Sequence, residues 1–263
     1  MNYDKYYKKC KKNYKGPVRD TDFYNNPVRV IPKDFFSNNY FLTINDVAEK
    51  IKNYFDNLID DEIMVYHNNI WEFEDELDII ATELVSWLEE NFYNCYLYVD
   101  KIYIYRTKQL KEREASYIWH YDNNPQELIK NIIYLNEVSD LNSPFEYLTN
   151  EEGFGVLHET QRKGTRLWKS VEGRLDNLVN ELIANGTHQP FKLTGPPGTT
   201  CGFSNDIIHR ANPVIHGYRD VINIRVHPSI NKPPHLLDRK WTTSREVSGV
   251  ANKNPEITWE QLI

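Results

Sequence analysis

The stretch Trp-His-Tyr-Asp at 119–122 sets an imidazole and a carboxylate two residues apart, just ahead of a turn-prone Asn-Asn-Pro. Side chains at i and i+2 of a β-strand leave the same face, so His120 and Asp122 would point together into whatever that face covers. A neutral imidazole and a carboxylate, joined by a third ligand from elsewhere, hold an octahedral cation and leave positions on it open. Two histidines and one carboxylate are the facial ligand set of non-haem Fe(II). By itself, His-x-Asp is also the pattern of an ordinary structural hydrogen-bonded pair.

His209 is the candidate for the third position. It follows "GPPGTTCGFSND", which reads as a tight turn and a short strand. That glycine-rich stretch lacks the lysine and following helix of a phosphate loop. Asn212-Pro213 and His216-Gly217 then break the chain. A hairpin is expected there, with the strand carrying Arg219 folded back beside the one ending near His209. A guanidinium would thereby enter the same interior, where its planar fork suits two-point capture of a carboxylate better than a lysine does. Arg225 follows at even spacing on the same strand face, so spacing leaves both arginines open for that role.

The order His-x-Asp, a distant His, then an Arg ten residues later resembles the signature of the Fe(II)/2-oxoglutarate-dependent oxygenases, and among them the phytanoyl-CoA dioxygenase-like family. Three stretches carry the resemblance: "WHYDNNPQELIKNIIYLNEVSDLNSPFEYL", "GFSNDIIHRA" and "GYRDVIN". It covers residues 100 to 229 and does not reach the helical N-terminal third or the C-terminal tail. The resemblance implies a double-stranded β-helix, a cupin-like jelly-roll barrel with outer helices. It implies His120, Asp122 and His209 as the catalytic Fe(II) ligands. Arg219 would bind the C5 carboxylate of 2-oxoglutarate, whose C1 carboxylate and keto oxygen chelate the metal, and O2 would be the other cosubstrate.

Tyr105, Arg106 and Lys108 lie on the preceding strand, where relatives present cosubstrate or substrate contacts; Tyr105 and Lys108 are the cosubstrate candidates. Lys130 matches a basic position of the family and faces either the cavity or solvent. Some relatives carry a small hydroxyl residue two positions after the distal histidine, where this chain has Ala211. Halogenating relatives lack the carboxylate ligand; with Asp122 present, the expected reaction is hydroxylation of a small molecule, or a desaturation or cyclisation, with release of succinate and CO2. Two alternatives stand beside it: a non-catalytic jelly-roll binding protein, and an oxygenase acting on a protein.

The elements that must position these residues are legible as patterns. From residue 95 onward, short β-branched and aromatic runs ("CYLYVDKIYIYR", "SYIWHYD", "IKNIIYLNEV", "TTCGFSN", "RDVINIRVHPS") are divided by Asn, Asp, Gly and Pro, the spacing of a sandwich or barrel. Trp119 and Tyr134 read as core aromatics within them. A helical insert is expected over 170–186, closed by Gly186. Upstream, helices are expected over 45–59, with Asn45 as a possible cap, and over 71–92, with Leu77, Ile80, Leu84 and Leu88 on one stripe. The simplest partition is a single domain: a mostly helical part (1–94), a β-helix core (95–229) and a C-terminal extension (230–263).

Composition bounds the rest. The 263 residues, 40% hydrophobic and 26% charged, describe a globular chain with enough apolar surface for a sizeable core. A net charge of −7 disfavours nucleic-acid partners, although the first 20 residues carry six Lys and one Arg against two Asp. That basic tail is expected to be solvated, the alternative being a weak tether to something anionic. No apolar run is long enough to cross a bilayer and no secretory segment opens the chain, so no membrane insertion and a cytoplasmic location are expected. Cys10, Cys95 and Cys201 form no Cys-x-x-Cys pair and fit a reducing compartment. His67, His158, His188 and His235 lack ligand spacing and read as satisfied or exposed imidazoles, while His216 reads as a turn residue and His227 as a strand-end residue. Oligomeric state is not legible.

Overall fold

The computed structural model describes residues 3–21, 24–58, 64–109, 115–122, 127–157, 175–240 and 242–243. Six antiparallel strands form the larger sheet: β1 (Val28–Val30), β2 (Met64–Tyr66), β3 (Tyr96–Thr107), β4 (Ile129–Tyr134), β7 (Thr200–Ser204) and β9 (Arg219–Ser229), in the order β1-β7-β4-β9-β3-β2. The smaller sheet has the order β6-β5-β8, from β5 (Phe145–Asn150), β6 (His188–Leu193) and β8 (His209–Ala211). The two sheets face each other as a jelly roll without closing into a continuous barrel. Phe145 stacks on Phe203 between them, ring centroids 4.4 Å apart.

Period-two alternation decides what each face meets. On β9, Ile222, Ile224 and Val226 point outward with Ile129 and Ile133 of β4, into a buried cluster shared with the helices. Val221 points inward with Ile132, Tyr134, Phe145 and Phe203. The helix-facing side of the run Val-Ile-Asn-Ile-Arg-Val is wholly apolar, while its inner side carries Asn223 and Arg225 beside Val221.

The outer layer comes from α2 (Asn38–Asp56) and α3 (Glu74–Leu88), after an N-terminal α1 (Tyr3–Asn13). The stripe of α3 is as expected, with Leu77, Ile80, Leu84 and Leu88 fully buried. A 3-10 turn (Ile70–Phe73) precedes it, and a π turn (Glu89–Tyr93) follows, closed by Asn94 at φ 52°. Helix α2 starts before the expected 45–59. Its buried stripe already begins at Tyr40, and the cap is Ser37, whose hydroxyl accepts the Tyr40 N–H at 3.1 Å, in place of Asn45. The basic segment is no solvated tail: α1 buries Tyr6, Tyr7 and Cys10 and leaves Lys5, Lys8, Lys9, Lys11 and Lys12 exposed. An apolar stripe at helical spacing lay hidden among the lysines. The N-terminal part also supplies the edge strands β1 and β2, which add to its helices.

Three further expectations change. The strand over 116–122 is reduced to a 3-10 turn (Ala115–Tyr117) and a single antiparallel bridge from His120 to His209. The hairpin joining the strands of His209 and Arg219 does not form, because β8 pairs with β5 in the smaller sheet and β9 with β3 and β4 in the larger. Asn212 and Val214 pair instead with the lead-in to β5, through Asn212 N–H to the Pro144 carbonyl and a Val214–Asn142 bridge, so the breaks carry the chain across the sandwich. The helical insert is α4 (Asp176–Ala184), followed by Gly186 at φ 72°; residues 170–174 and His158 lie outside the described residues.

Strand β3 contains a bulge between Val99 and Lys101. Leu97 and Val99 before it, and Ile102 and Ile104 after it, all face the helices. Asp100 and Lys101 share the register step between them. Cys10, Cys95 and Cys201 are buried and unbridged. No helix among the described residues is long and apolar enough to cross a membrane.

His227, near the end of β9, is buried, stacks on Tyr98 with ring centroids 5.0 Å apart, and shares Nδ1 with the Pro228 carbonyl at 3.1 Å. Burial pushes its pKa down to about 4, with Arg225 adding to the shift and Asp100 opposing it. A depressed folded-state value means that the unfolded chain takes up the proton first, so this contribution to stability is full above the ordinary histidine pKa and is lost as pH falls toward 4. Melting temperatures across this range are expected to fall less steeply for His227→Phe than for the native chain; parallel curves would refute that reading.

Candidate metal centre

Outside the named strands, the backbone of His120 pairs with that of His209, the first residue of β8 in the smaller sheet. Each donates its N–H to the other's carbonyl, at 3.0 Å from His120 and 2.8 Å from His209. The Asp122 N–H continues the pairing to the Asn205 carbonyl at 2.8 Å. This short extended stretch preserves the two-residue alternation that a full strand would have given. His120, Asp122 and His209 therefore converge, with one ligand atom of each within 4.8 Å of the others. His209 Nε2 lies 3.8 Å from Asp122 Oδ2, and the imidazole centroids are 4.4 Å apart.

The second nitrogen of each ring is already committed. Nδ1 of His120 pairs with the Ile118 carbonyl at 2.7 Å, and Nδ1 of His209 with the Ile207 carbonyl at 2.9 Å. Because a carbonyl only accepts, each Nδ1 carries a proton, so in a neutral ring the lone pair belongs to Nε2. Burial, reinforced by His120, lowers the His209 pKa to about 3, so the ring is neutral in ordinary buffers. Burial opposes ionisation of Asp122, but Lys130, His209 and His120 outweigh it and hold the carboxyl below the usual range. Lys130 forms an ion pair with Asp122 Oδ2 and so faces the cavity, the first of its two expected placements. Two imidazoles and one ionised carboxylate, with a ligand atom of each brought close to the others, fit a divalent transition-metal ion.

A cavity of about 430 Å³ opens on this group, with Tyr105, Ile132, Phe145 and Phe203 among its walls. Arg219, 2% exposed, borders it. Its guanidinium donates to the Ser143 carbonyl and, at 3.4 Å, to Thr107 Oγ1, while Nε has no partner among the described residues. No carboxylate among those residues pairs with it. A buried cation without counter-charge is costly, and a carboxylate ligand would supply the missing partner.

The remaining candidates separate by position. Arg225 donates through Nε to both oxygens of Asp100, at 2.9 and 3.0 Å, and does not line the cavity. Tyr105 lines it. Arg106, of opposite parity, binds Asp220 through two bonds of 2.7 Å and lies 3.7 Å from the ring centre of Tyr218. Lys108 lies past the end of β3 and is not among the lining residues, because a step of three from Tyr105 changes faces. The same parity points to Thr107, which sequence reasoning missed. Ala211 lines the cavity, as do Lys101, Asn223 and Thr243, none of which had a recognisable signal. Trp119 and Tyr134 are fully buried core aromatics. Among the other histidines, His67 is buried against Glu72 at 2.8 Å, His188 begins β6, and His216 and His235 lie in turns or loops.

No family model matches the chain. Over 142 residues, 47% of its length, it is 29% identical to an L-proline trans-4-hydroxylase of Streptomyces griseoviridis; the match takes in 52% of that protein, so the chain spans about half the length of the curated relative. Among solved structures, the non-heme alpha ketoglutarate dependent epimerase SnoN from nogalamycin biosynthesis superposes with a TM-score of 0.54 at 10% identity, covering 86% of this chain and 84% of that one. HygX from Streptomyces hygroscopicus, with nickel and 2-oxoglutarate bound, gives 0.52 at 12% identity over 82% and 89%. EctD from S. alaskensis, with bound Fe, gives 0.51 at 15% identity over 89% and 90%. These likenesses show the shared jelly-roll fold.

Replacing a ligand removes a whole donor, a larger change than the loss of an outer hydrogen bond, which itself costs 10- to 100-fold in metal affinity. His120→Ala and Asp122→Ala are each expected to weaken Fe(II) binding by about 100-fold or more in anaerobic titration calorimetry. Stoichiometric Fe(II) retained in both variants would remove the metal assignment.

Proposed function

We propose that this chain is an Fe(II)- and 2-oxoglutarate-dependent oxygenase that hydroxylates a small molecule. The observation that carries the reading is the pairing of two features in one cavity: three convergent ligand atoms, and a buried guanidinium with no carboxylate of its own among the described residues. The similarity to a proline hydroxylase supports the reaction type, and the limited cavity volume supports a small substrate. Unbridged buried thiols support a reducing compartment, which we take to be the cytoplasm.

When bound, Fe(II) and 2-oxoglutarate supply O2 activation and a two-electron oxidation of a C–H bond, with succinate and CO2 released. The protein's part is positioning and electrostatics. His120 and His209 donate through Nε2, their rings fixed by the Ile118 and Ile207 carbonyls. Asp122 adds the anionic ligand. Arg219 pairs with the distal carboxylate of 2-oxoglutarate, and its contact with Thr107 keeps the guanidinium aimed. Ile132, Phe145 and Phe203 keep the site apolar and limit water.

Succinate formation coupled to O2 consumption separates this reading from a non-catalytic binding protein. Arg219→Ala is expected to weaken 2-oxoglutarate binding on the order of 100-fold, the scale for truncating one side of a buried charge pair, while Fe(II) affinity stays unchanged. Unchanged 2-oxoglutarate affinity in that variant would shift the clamp to Arg225.

A further inference from the structure

The inner face of the larger sheet carries a row of cations, and the metal centre and the 2-oxoglutarate clamp use only part of it. Lys101 on β3 and Lys130 on β4 both stand opposite Arg225 of the intervening β9. Neighbouring strands lie about 4.8 Å apart, so the two lysine backbones are roughly 10 Å apart and both side chains reach the space between. Two members of the row have resident counter-charges, Asp100 for Arg225 and Asp122 for Lys130. Lys101 has none. It is half-buried and lines the cavity, and its side chain makes no hydrogen bond or ion pair with any described residue.

The bulge explains why it is there. Continued without interruption, the alternation that sends Leu97 and Val99 to the helices would send Lys101 there as well. The register step turns the strand, so that Ile102 and Ile104 meet the helices and Lys101 joins Tyr103 and Tyr105 on the cavity wall. Burial lowers its pKa, with Arg225 and Lys130 adding to the shift and the adjacent Asp100, whose carboxylate is paired with Arg225, opposing it. Arg219, at the other end of β9, leaves Lys101 unmet when it holds a cosubstrate carboxylate. Asp122 is the sole acid among the described lining residues. Midway along the same face, Asn223 Oδ1 is buried without a hydrogen-bond partner and offers an acceptor to a ligand N–H or O–H.

We propose that the primary substrate is a small carboxylic acid whose carboxylate docks on Lys101, with Asn223 accepting from a neighbouring polar hydrogen. The proposal rests on the oxygenase reading of the cavity. A single unpaired ammonium suits a monoanion better than a phosphate dianion, which draws on forked or multiple donors. The cavity, shared with 2-oxoglutarate, leaves room for a small acid and not a polymer.

The test uses the full chain loaded with Mn(II) and saturating 2-oxoglutarate, with acetate and acetamide as probes of similar size and different charge. Paramagnetic relaxation of the probe methyl protons reports residence near the metal. Acetate is expected to relax several-fold faster than acetamide in the native protein and in Lys101→Arg, and the difference should vanish in Lys101→Met. Equal relaxation of the two probes in the native protein, or an acetate effect that survives Lys101→Met, overturns the proposal. Without any ligand, Lys101→Met is expected to melt no lower than the native chain, because it removes a half-buried charge that has no partner; a clear drop would reveal a resident partner and also overturn it. Failure of the native protein to bind Mn(II) or 2-oxoglutarate would instead sink the oxygenase reading on which the proposal rests.

Discussion

The reciprocal backbone hydrogen bonds between His120 and His209 are the constraint on which the site depends. They join segments distant in the chain at the start of β8, and thereby set two imidazoles side by side. Everything that makes the group a metal candidate follows from that pairing. The alternation of the extended chain brings in Asp122, and the carbonyls of Ile118 and Ile207 fix which ring nitrogen is free. A ligand set assembled in this way is only as rigid as the sheets behind it.

Those sheets are braced from both sides. Outside, α2 and α3 cover β4 and β9 with one continuous apolar cluster. Inside, the Tyr134 hydroxyl donates to the Leu193 carbonyl at 2.9 Å and accepts the Phe145 N–H at 3.0 Å, so one phenol on the larger sheet ties two strands of the smaller. Gly202 permits a close approach in β7: a Cβ there would lie 2.7 Å from Asn131 Oδ1 on the neighbouring strand. Such ties hold the facing sheets at a fixed separation and keep the cavity open between them.

Legibility followed how local each signal was. The bounds of β9 and the stripe of α3 were readable because alternation and helical spacing are written in neighbouring residues. His120, Asp122 and His209 stood out through spacing and family resemblance together, and the fold brings the three together. The hairpin expectation failed because an Asn-Pro break looks alike whether the chain returns within one sheet or crosses to another. Asn45 resembled a cap, but the buried stripe starting at Tyr40 had already begun the helix. Helix α1 was hidden because its exposed lysines outnumber its buried residues. Lys108 failed on a point the sequence did contain, since odd spacing from Tyr105 excludes a shared face, and the same count would have found Thr107. Lys101 was out of reach: a bulge leaves no composition signal, and every residue after it reads with the wrong parity.

That bulge also bears on how such a barrel could diverge. Residues past the bulge would keep their partners on β9 if Asp100 were lost, because Lys101 would then follow Val99 in regular alternation and still stand opposite Arg225. Arg225 would lose its counter-ion while Lys101 kept its place on the cavity wall, and the paired histidines, carried on other segments, would stay where they are. Deletion at this one position is therefore a route by which a lineage could add an uncompensated positive charge beside the cavity, and so change the kind of molecule it accepts, without rebuilding its reactive centre.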